Sequence, residues 1–516
     1  MSEVNILWAD DEIELLKPHI IFLEEKGYTV STVNNGTDAI DSVREEYFDI
    51  VFLDENMPGL TGLETLAVIK EEDPTLPVVM ITKSEEESIM EEAIGSKISD
   101  YLIKPVNPHQ ILMSLKKNLD EKRIRSEKTN VGYQQDFREI GMKLMDRLSA
   151  DEWFDLYRKM VRWDLALEDS DSGGMEDIFQ TQMTEANSQF SRFVSDNYLG
   201  WLKDSESAPV MSHTLFKKNI LPVLDDPESV FLMVIDNLRY DQWKILQPKM
   251  SEYFRVESEE LFFSILPTAT HYARNAIFSG LMPSEMARLY PQYWKSEEEE
   301  GSKNMHEADF LESQLQRLGL DIKWSYNKIT NLNAGKRLND QFSNLKNNKL
   351  NVIVYNFVDM LSHARTDMEV IKELADDEAA YRSITQSWFD HSSLLDIMKK
   401  ISESGARMIV TTDHGTVKVE EPIKIVGDRS TNSNLRYKTG RNLNYDAKDV
   451  FEVKNPQDAF LPKSNVSSAF VFAKEKQFFV YPNNYNHFVK LYRNTFQHGG
   501  VSMQEMMIPF VNLVPK

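Results

Sequence analysis

The second half of the chain carries acidic and imidazole side chains at the points where apolar segments end. The apolar segments at 230–235, 352–358 and 408–411 are predicted to be buried strands, because each is a short apolar run. The side chains that follow these strands or stand in a late glycine turn are Asp236, Asp359, His363, Asp413, His414 and His498. Carboxylates and neutral imidazoles are ligands that suit Zn²⁺ or Mn²⁺. The pattern therefore predicts metal-assisted chemistry at one edge of a sheet.

The number and spacing of these side chains favour two metal ions. Asp359 and His363 are four residues apart, so a helical turn would place both on one face. One metal ion needs three or four ligands, whereas six ligands and the hydroxyl of Thr270 suffice for two. Two ions roughly 4 Å apart can hold the attacking and leaving oxygens of a phosphoryl transfer. Because the sequence has no cysteine, thiolate ligands are excluded.

A short segment near the predicted start of a helix carries two threonine hydroxyls. Thr270 stands in the segment 266–274, which is predicted to be a loop that leads into a helix. The start of a helix favours an anion through its free N–H groups and its dipole. Arg274 lies one turn after Thr270 and is predicted to face the same side and to bind substrate. Thr268 is a competing candidate for the nucleophile.

A second chemical constellation lies in the first 120 residues. Its members are Asp10 and Asp11 after the first predicted strand, and Asp54, Thr82 and Lys104 at the ends of the third, fourth and fifth. The carboxyl ends of parallel strands meet at one edge, where ligands bind in open α/β folds. Clustered carboxylates need a cation, and hard oxygen ligands suit Mg²⁺. A hydroxyl and an ammonium group are the partners that a phosphoryl group on Asp54 would need.

Three regions of different character must position these residues. Residues 1–120 alternate apolar runs with amphipathic stretches, which is typical of an α/β fold, here (βα)5 with a parallel sheet. Residues 121–225 show helical spacing and are predicted to form a helical connector and bundle. Residues 226–516 are expected to form a second α/β domain with a central, largely parallel sheet. One helix, from Asn107 to about Lys128, is expected to leave the first domain as a connector.

The first region resembles the receiver domains of response regulators. The matching elements occur in the family's order and are Asp10-Asp11, Asp54, Met57-Pro58-Gly59, Thr82 and Lys104-Pro105. The resemblance implies that Asp54 accepts a phosphoryl group from a sensor histidine kinase, and that Asp10 and Asp11 hold Mg²⁺. The residues that would sense the phosphoryl group are Thr82, Lys104 and an aromatic switch, Tyr101. Receivers of this kind often dimerise when phosphorylated, so a homodimer is expected.

The last region resembles the alkaline phosphatase superfamily, and a helical segment followed by such a domain resembles the PglZ type. The resemblance implies two zinc sites, one formed by Asp236, Thr270, Asp413 and His414, and the other by Asp359, His363 and His498. It also places the nucleophile at Thr270. Threonine at this position favours cleavage of diesters by association with nucleotide diesterases. With a receiver in front, the whole chain resembles a family of response regulators associated with type IX secretion.

Charge and hydropathy narrow the function classes. The formal net charge of −24 and the pI near 5.0 disfavour binding to duplex DNA, since DNA-binding domains usually carry a basic stripe. A small phosphorylated substrate stays compatible, because metal ions supply local positive charge. The first residues lack a basic start followed by a long apolar run, and no later stretch is apolar enough to cross a bilayer. We therefore expect a cytoplasmic protein.

Two functions from different classes follow from the sequence. The first is a zinc-dependent phosphodiesterase that acts on nucleotides or oligonucleotides under the control of Asp54 phosphorylation. The alternative is a zinc-stabilised scaffold that phosphorylation switches and that acts through a partner such as a sigma factor or a secretion component. For Lys438 and Arg441, in the polar stretch 428–444, a solvated loop and contact with a substrate phosphate both stay open.

Overall fold

The chain folds into two compact units. The computed structural model describes residues 4–83, 98–168 (120–128 without side chains), 174–204, 206–297, 299, 301–356, 358–359, 377–428, 431–463 and 467–516. The first unit takes Met1–Gln134, and the second takes Gln135–Asp169 and Gly173–Lys516. The helical segment that the sequence predicts as a middle domain thus packs in the same unit as the C-terminal sheet. The domain boundaries at residues 120 and 225 stay predictions.

The first unit is a five-stranded parallel sheet in the order β2-β1-β3-β4-β5. Its strands are β1 Val4–Ala9, β2 Tyr28–Val33, β3 Ile50–Asp54, β4 Val78–Thr82 and β5 Asp100–Ile103. Its first helices are α1 Lys17–Glu24, α2 Gly36–Glu45 and α3 Gly62–Glu72. Strand β3 alternates between two cores, with Leu53 packed on one face of the sheet and Phe52 on the other. A sheet that is covered on both faces explains why this strand is apolar throughout.

A single long helix, α4 (Pro108–Met145), begins in the first unit and ends in the second. Ile111 and Leu115 are buried in the core of the first unit, as their spacing predicts. The predicted end near Lys128 is wrong, because the helix continues to Met145. Its later part buries Ile140 and Leu144 at helical spacing, and tertiary packing of such an apolar face stabilises a helix.

Two further long helices, α5 (Ala150–Glu168) and α6 (Met175–Trp201), confirm that this region is helical. The buried face of α6 includes Phe179, Met183, Ala186 and Phe190, which are the residues whose spacing predicted it. Phe154 on α5 packs on Phe263 with ring centroids 4.6 Å apart. Since Phe263 ends a strand of the C-terminal sheet, the bundle and this sheet share a core.

The C-terminal sheet has six strands in the order β7-β18-β10-β6-β9-β8. The first five strands of this sheet in chain order are β6 Val230–Ile235, β7 Phe254–Phe263, β8 Trp324–Ile329, β9 Leu350–Tyr355 and β10 Arg407–Thr411. Strands β10, β6, β9 and β8 run parallel, so their carboxyl ends share one edge. Short strands that form separate small sheets follow β10. They are β11 Val417–Lys418, β12 Glu421–Lys424, β13 Tyr437–Arg441, β14 Val450–Val453, β15 Ser468–Ala473, β16 Gln477–Val480 and β17 Phe496–Gln497. Strand β18 (Met507–Pro515) returns antiparallel between β10 and β7.

Helices cover this sheet and bring further side chains to its edge. They are α7 Ser212–Leu215, α8 Leu221–Val223, α9 Tyr240–Met250, α10 Thr270–Ser279, α11 Pro283–Leu289, α12 Glu307–Arg317, α13 Leu332–Asp340, α14 Glu378–Asp390, α15 Ser393–Glu403, α16 Tyr485–Tyr492 and α17 Met503–Met506. The predicted α/β fold class, with a largely parallel central sheet, is confirmed. None of the helices in the described part of the chain has the length and apolar character that a membrane span needs.

Candidate metal centre and phosphorylation site

Three buried ligands meet at the carboxyl edge of the C-terminal sheet. Asp236 follows β6 directly, and Asp413 and His414 follow β10, its parallel neighbour. One ligand atom from each of the three lies within 4.8 Å of the others. All three side chains are at most 1% exposed. The arrangement is one that a divalent cation could join, since buried carboxylates repel each other without one.

Thr270 lies against this group at the first residue of α10. Its Oγ1 is 3.3 Å from Asp236 Oδ1 and 3.0 Å from His414 Nε2. The helix brings its N-terminus, which favours an anion, to the same place. A hydroxyl within hydrogen-bond distance of two such groups, at a helix N-terminus, is suited to meet a phosphate.

Part of the second predicted ligand group lies beside the first. Asp359 Oδ1 is 3.6 Å from His498 Nε2, and the rings of His414 and His498 stack with centroids 4.2 Å apart. The structure therefore places five of the six predicted protein ligands in one neighbourhood. His363, the sixth, lies outside the described residues.

Backbone carbonyls fix the tautomers of both histidines. His414 Nδ1 is 3.0 Å from the carbonyl oxygen of Gly415, and His498 Nδ1 is 3.1 Å from that of Thr268. A carbonyl oxygen only accepts, so each Nδ1 carries the hydrogen and donates it. Each Nε2 then presents a lone pair, His414 toward Thr270 and His498 toward Asp359. Second-shell contacts of this kind orient imidazoles for metal binding.

The pKa values of the predicted ligands favour binding of a cation. Burial raises the pKa of Asp413, raises the pKa of Asp359 well above its ordinary value, and lowers the pKa of His414. Asp413 Oδ2 is buried without a hydrogen bond among the described residues, and its nearest cation, Arg274 Nη1, is 3.8 Å away. These donors fit a dication of the zinc or manganese type.

Arg274 faces the same side as Thr270, as its spacing predicts, but it is only 1% exposed. Its Nη1 lies 2.8 Å from Asp236 Oδ2, and its Nε donates to Glu307 Oε1 at 2.6 Å. The guanidinium therefore balances the ligand carboxylates, and its contact with substrate stays a prediction. Sequence reasoning missed Glu307, whose only signal is its place as an acidic residue in the first turn of α12.

Two other candidates from the sequence lie elsewhere. Thr268 Oγ1 donates to the carbonyl oxygen of Gly500 at 2.9 Å and accepts from the N–H of Gly499 at 3.0 Å, so it holds the turn after His498. Lys438 is 1% exposed and donates to the carbonyl oxygen of Asn432 at 2.8 Å, so it does not belong to a solvated loop. Arg441 is exposed at the end of β13.

The first unit gathers its predicted residues at the carboxyl edge of its own sheet. Ligand atoms of Asp10, Asp11 and Asp54 lie within 4.8 Å of one another. Lys104 Nζ is 2.8 Å from Asp10 Oδ2 and 3.0 Å from Asp54 Oδ2. Burial raises the pKa of Asp54, and its Oδ1 is buried without a hydrogen bond among the described residues. This donor set fits Mg²⁺, and the lysine is in place to meet a phosphoryl group.

Thr82 and Tyr101, the other residues predicted to respond to the phosphoryl group, lie on strands of this sheet. Thr82 is the last residue of β4 and is fully buried, and Tyr101 lies on β5 and is partly buried. Burial raises the pKa of the Tyr101 hydroxyl, which therefore stays protonated at neutral pH. Their roles in sensing a phosphoryl group stay predictions.

Comparison with family models assigns all three regions. Residues 6–116 match the response regulator receiver domain, 123–202 match the PorX response regulator linker domain, and 215–513 match the BREX system PglZ alkaline phosphatase-like domain. These matches support a two-component regulator with a phosphoesterase-like output domain. The chain belongs to the PglZ alkaline phosphatase-like family, whose model matches more than half of it.

Individual relatives match over about a quarter of the chain. The transcriptional regulatory protein ZraR of Klebsiella oxytoca is 36% identical over 24% of this chain and 28% of its own length. ResD of Bacillus subtilis is 31% identical over 22% of this chain and 48% of its own length. The chain thus spans less than half the length of these curated relatives. A CheY-like receiver domain from Methanospirillum hungatei is 27% identical and covers 23% of this chain and 96% of its own, with a TM-score of 0.23.

We expect zinc to stabilise the protein more at about pH 7.5 than at about pH 5.5. Burial, which outweighs the nearby Arg274, raises the pKa of Asp236 to about 6. Because this exceeds the unfolded value of about 3.9, the metal-free protein loses stability as the pH rises through about 6. A bound cation would offset that loss, since it replaces the proton.

Differential scanning fluorimetry of chelator-treated protein, with and without added zinc at both pH values, checks this expectation. Asp413→Asn should reduce the zinc-dependent rise in Tm. An equal or larger rise at about pH 5.5 would contradict it.

Proposed function

We propose that the C-terminal domain is a zinc-dependent phosphodiesterase that acts on nucleotides or oligonucleotides with Thr270 as the nucleophile. The observation that carries the proposal is the position of Thr270 Oγ1 at a helix N-terminus, 3.0 Å from His414 Nε2 and 3.3 Å from Asp236 Oδ1. Membership of an alkaline phosphatase-like family supports the same reaction class.

The ligand residues would hold two zinc ions in two groups. The first would use Asp236, Thr270, Asp413 and His414, and the second Asp359, His363 and His498. When bound, zinc would lower the pKa of the threonine hydroxyl and neutralise charge on the phosphate. Manganese is compatible with the same donors.

The protein's own groups would prepare the attack. The Thr270 hydroxyl has a single hydrogen, which it donates to Asp236 Oδ1 or to His414 Nε2, so these two groups orient the hydroxyl and can accept its proton. Attack would form a bond from Oγ1 to phosphorus and break the bond to the ester oxygen, which leaves as an alcohol after protonation. Water would then cleave the Oγ1–P bond and restore the threonine.

Hydrolysis of two chromogenic esters tests this proposal. Zinc-loaded protein should hydrolyse bis(p-nitrophenyl) phosphate faster than p-nitrophenyl phosphate, because threonine in this superfamily is associated with diesters. A monoester preference would change the substrate class. Zinc-loaded, folded protein that is phosphorylated at Asp54 and hydrolyses neither ester would favour the scaffold function, with output through a protein partner.

Control of the output is assigned to the receiver. The proposal is that a sensor histidine kinase phosphorylates Asp54 in the presence of Mg²⁺, that the phosphorylated chain dimerises, and that α4 carries the change. Support comes from the continuity of α4, which buries Ile111 in the first unit's core and Ile140 in the second unit. A phosphoryl group adds about two negative charges, enough to bias a two-state element.

The proposed biological setting is the regulation of type IX secretion from the cytoplasm, with a sigma factor or a secretion component as partner. The match of residues 123–202 to a PorX linker domain supports this setting. Because the net charge is negative, duplex DNA is not proposed as a partner.

A further inference from the structure

Arg239 is a buried cation in the loop that follows β6. We call the loops that carry Asp236, Asp413 and His498 the metal-site loops. Arg239 lies three residues after Asp236 and is 2% exposed. Its Nε donates to Asp241 Oδ1 at 2.9 Å, and its Nη1 lies 2.5 Å from Glu378 Oε2. Arg239 is not among the residues predicted to bind metal or substrate, and its contacts indicate a different role.

The side chain of Arg239 touches several segments that carry ligands. Its guanidinium lies 5.6 Å from the ring centroid of Phe496, which stands two residues before His498. A Cβ on Gly415, the residue after His414, would lie 3.4 Å from Arg239 Cγ. The same guanidinium lies 5.6 Å from the ring centroid of Tyr381 on α14. Arg239 therefore belongs to the loop after β6, lies close to Gly415 in the loop after β10, and lies over a ring in the segment before His498.

A second buried arginine connects this cation to the helical bundle. Arg382 on α14 is 4% exposed, and its Nη1 lies 2.7 Å from Asp164 Oδ2 and 3.0 Å from Asp241 Oδ2. Its Nη2 also contacts Glu168. Asp164 and Glu168 belong to α5 of the bundle, whereas Asp241 belongs to α9 of the C-terminal domain. We call Arg382, Asp241 and Arg239 the arginine bridge.

Asp241 makes the two arginines interdependent. Both of its oxygens accept from Arg239, and Oδ2 also accepts from Arg382, so one carboxylate is shared by two guanidinium groups. Arginine donors have a rigid fork, which transmits position as well as charge. Removing one member of a buried ion network leaves its partners without compensation, so they move or rearrange.

The same bundle helix is also tied to the end of α4. Asp136 on α4 contacts Lys159 Nζ at 3.2 Å and Arg162 Nη2 at 2.9 Å, and it accepts from the indole nitrogen of Trp163 at 2.9 Å. These three partners lie on α5, immediately before Asp164. A shift of the end of α4 would therefore act on α5, whose Asp164 binds Arg382.

We propose that Arg239 is a positioning residue for the metal-site loops and that helix α5 of the bundle sets its position through the arginine bridge. The inference rests on the proposed function, since it names the residues through which the bundle controls the same site. It requires no contact between the arginine bridge and substrate. Loss of the bridge should loosen the ligands and slow turnover without a change in substrate affinity.

The test uses full-length protein with substitutions far from the ligands. Asp164→Asn removes the charge of one of the two α5 carboxylates that bind Arg382, Arg382→Gln removes the link itself, and Asp164→Glu retains the charge. Arg407→Gln is the matched control, because Arg407 also bridges two carboxylates, Asp226 at 3.1 Å and Glu257 at 2.8 Å, but begins β10 at the opposite edge.

Three quantities are measured, namely zinc affinity by competition with a chromogenic chelator, kcat and KM for bis(p-nitrophenyl) phosphate, and Tm. Residues that orient metal ligands typically change metal affinity or activity about 10–100-fold, so Asp164→Asn should weaken zinc binding about tenfold. Its kcat should fall while KM stays the same. Asp164→Glu should recover part of both losses, and Arg407→Gln should change neither.

Zinc affinity and kcat equal to those of the unmodified protein in folded Asp164→Asn would overturn the inference, even if Tm falls. An equal loss in Arg407→Gln would also overturn it, because the effect would then be general destabilisation. If the unmodified protein binds zinc but hydrolyses no diester, the proposed function fails, while selective loss of zinc affinity in Asp164→Asn still supports the bridge. Where Arg382→Gln does not fold, Asp164→Asn alone decides.

Discussion

Thr270→Ala is expected to lower kcat for bis(p-nitrophenyl) phosphate by at least about 10³-fold, because removal of an attacking group eliminates the covalent step. Stopped or continuous absorbance assays of nitrophenol release measure this loss. Asp236, Asp413 and His414 remain in the variant, so zinc binding should be weakened less than activity. The protein should stay folded, since the methyl and hydroxyl of Thr270 are not part of the buried core.

Thr268→Ala is the matched control for this substitution. Thr268 is fully buried and its hydroxyl both donates to Gly500 and accepts from Gly499, so it is engaged in holding a turn. Its removal should lower stability by about 1–3 kcal/mol, the cost of an unmet buried hydrogen bond, and should leave most of the activity. Full activity in Thr270→Ala, together with loss of activity in folded Thr268→Ala, would identify Thr268 as the nucleophile.

Asp54→Asn is expected to abolish phosphorylation of the chain by acetyl phosphate. Asp54 ends β3, its Oδ1 has no hydrogen bond among the described residues, and Lys104 Nζ lies 3.0 Å from its Oδ2. An amide cannot form the acyl phosphate, so the loss should be complete. Intact-mass measurement after incubation with acetyl phosphate and Mg²⁺ detects the added phosphoryl group.

Asp41→Asn serves as control for Asp54→Asn, because Asp41 is an exposed aspartate on α2 of the same unit. It should accept the phosphoryl group as the unmodified protein does. Persistence of the same mass increase in Asp54→Asn would show that another residue is the acceptor.

Strand ends were the most predictable part of both sites. Short apolar runs followed at once by a carboxylate located β6 and β10 within one residue, and parallel pairing then brought Asp236 and Asp413 together. The same reasoning placed Asp10, Asp11 and Asp54 at the edge of the first sheet. These residues are predictable because local hydropathy and a single topological rule determine their positions.

Contacts between residues distant in the sequence could not be predicted. Glu307 reaches Arg274, and Arg382 reaches Asp164, only because helices from separate regions pack together. No local pattern distinguishes such charges from solvated surface residues. Lys438 illustrates the same limit, since a polar stretch of sequence gave no sign that this lysine is buried.

The length of α4 shows how tertiary packing decides where a helix ends. Its apolar positions in the first unit were visible as Ile111, Leu115 and Leu119, but the charged stretch after them suggested an end near Lys128. Tyr133 and Ile140 are buried further along the same helix, which continues to Met145. Packing within the second unit, which begins at Gln135, stabilises the last part of the helix, which the local pattern left open.

Phosphorylation of Asp54 is proposed to control a metal-dependent phosphodiesterase. The most direct measurement is the rate of bis(p-nitrophenyl) phosphate hydrolysis by zinc-loaded protein before and after treatment with acetyl phosphate and Mg²⁺, with Asp54→Asn in parallel. We expect hydrolysis that zinc chelation abolishes, a change in its rate on phosphorylation, and no such change in Asp54→Asn. Hydrolysis that persists after zinc removal, or a rate that responds equally in Asp54→Asn, would contradict it.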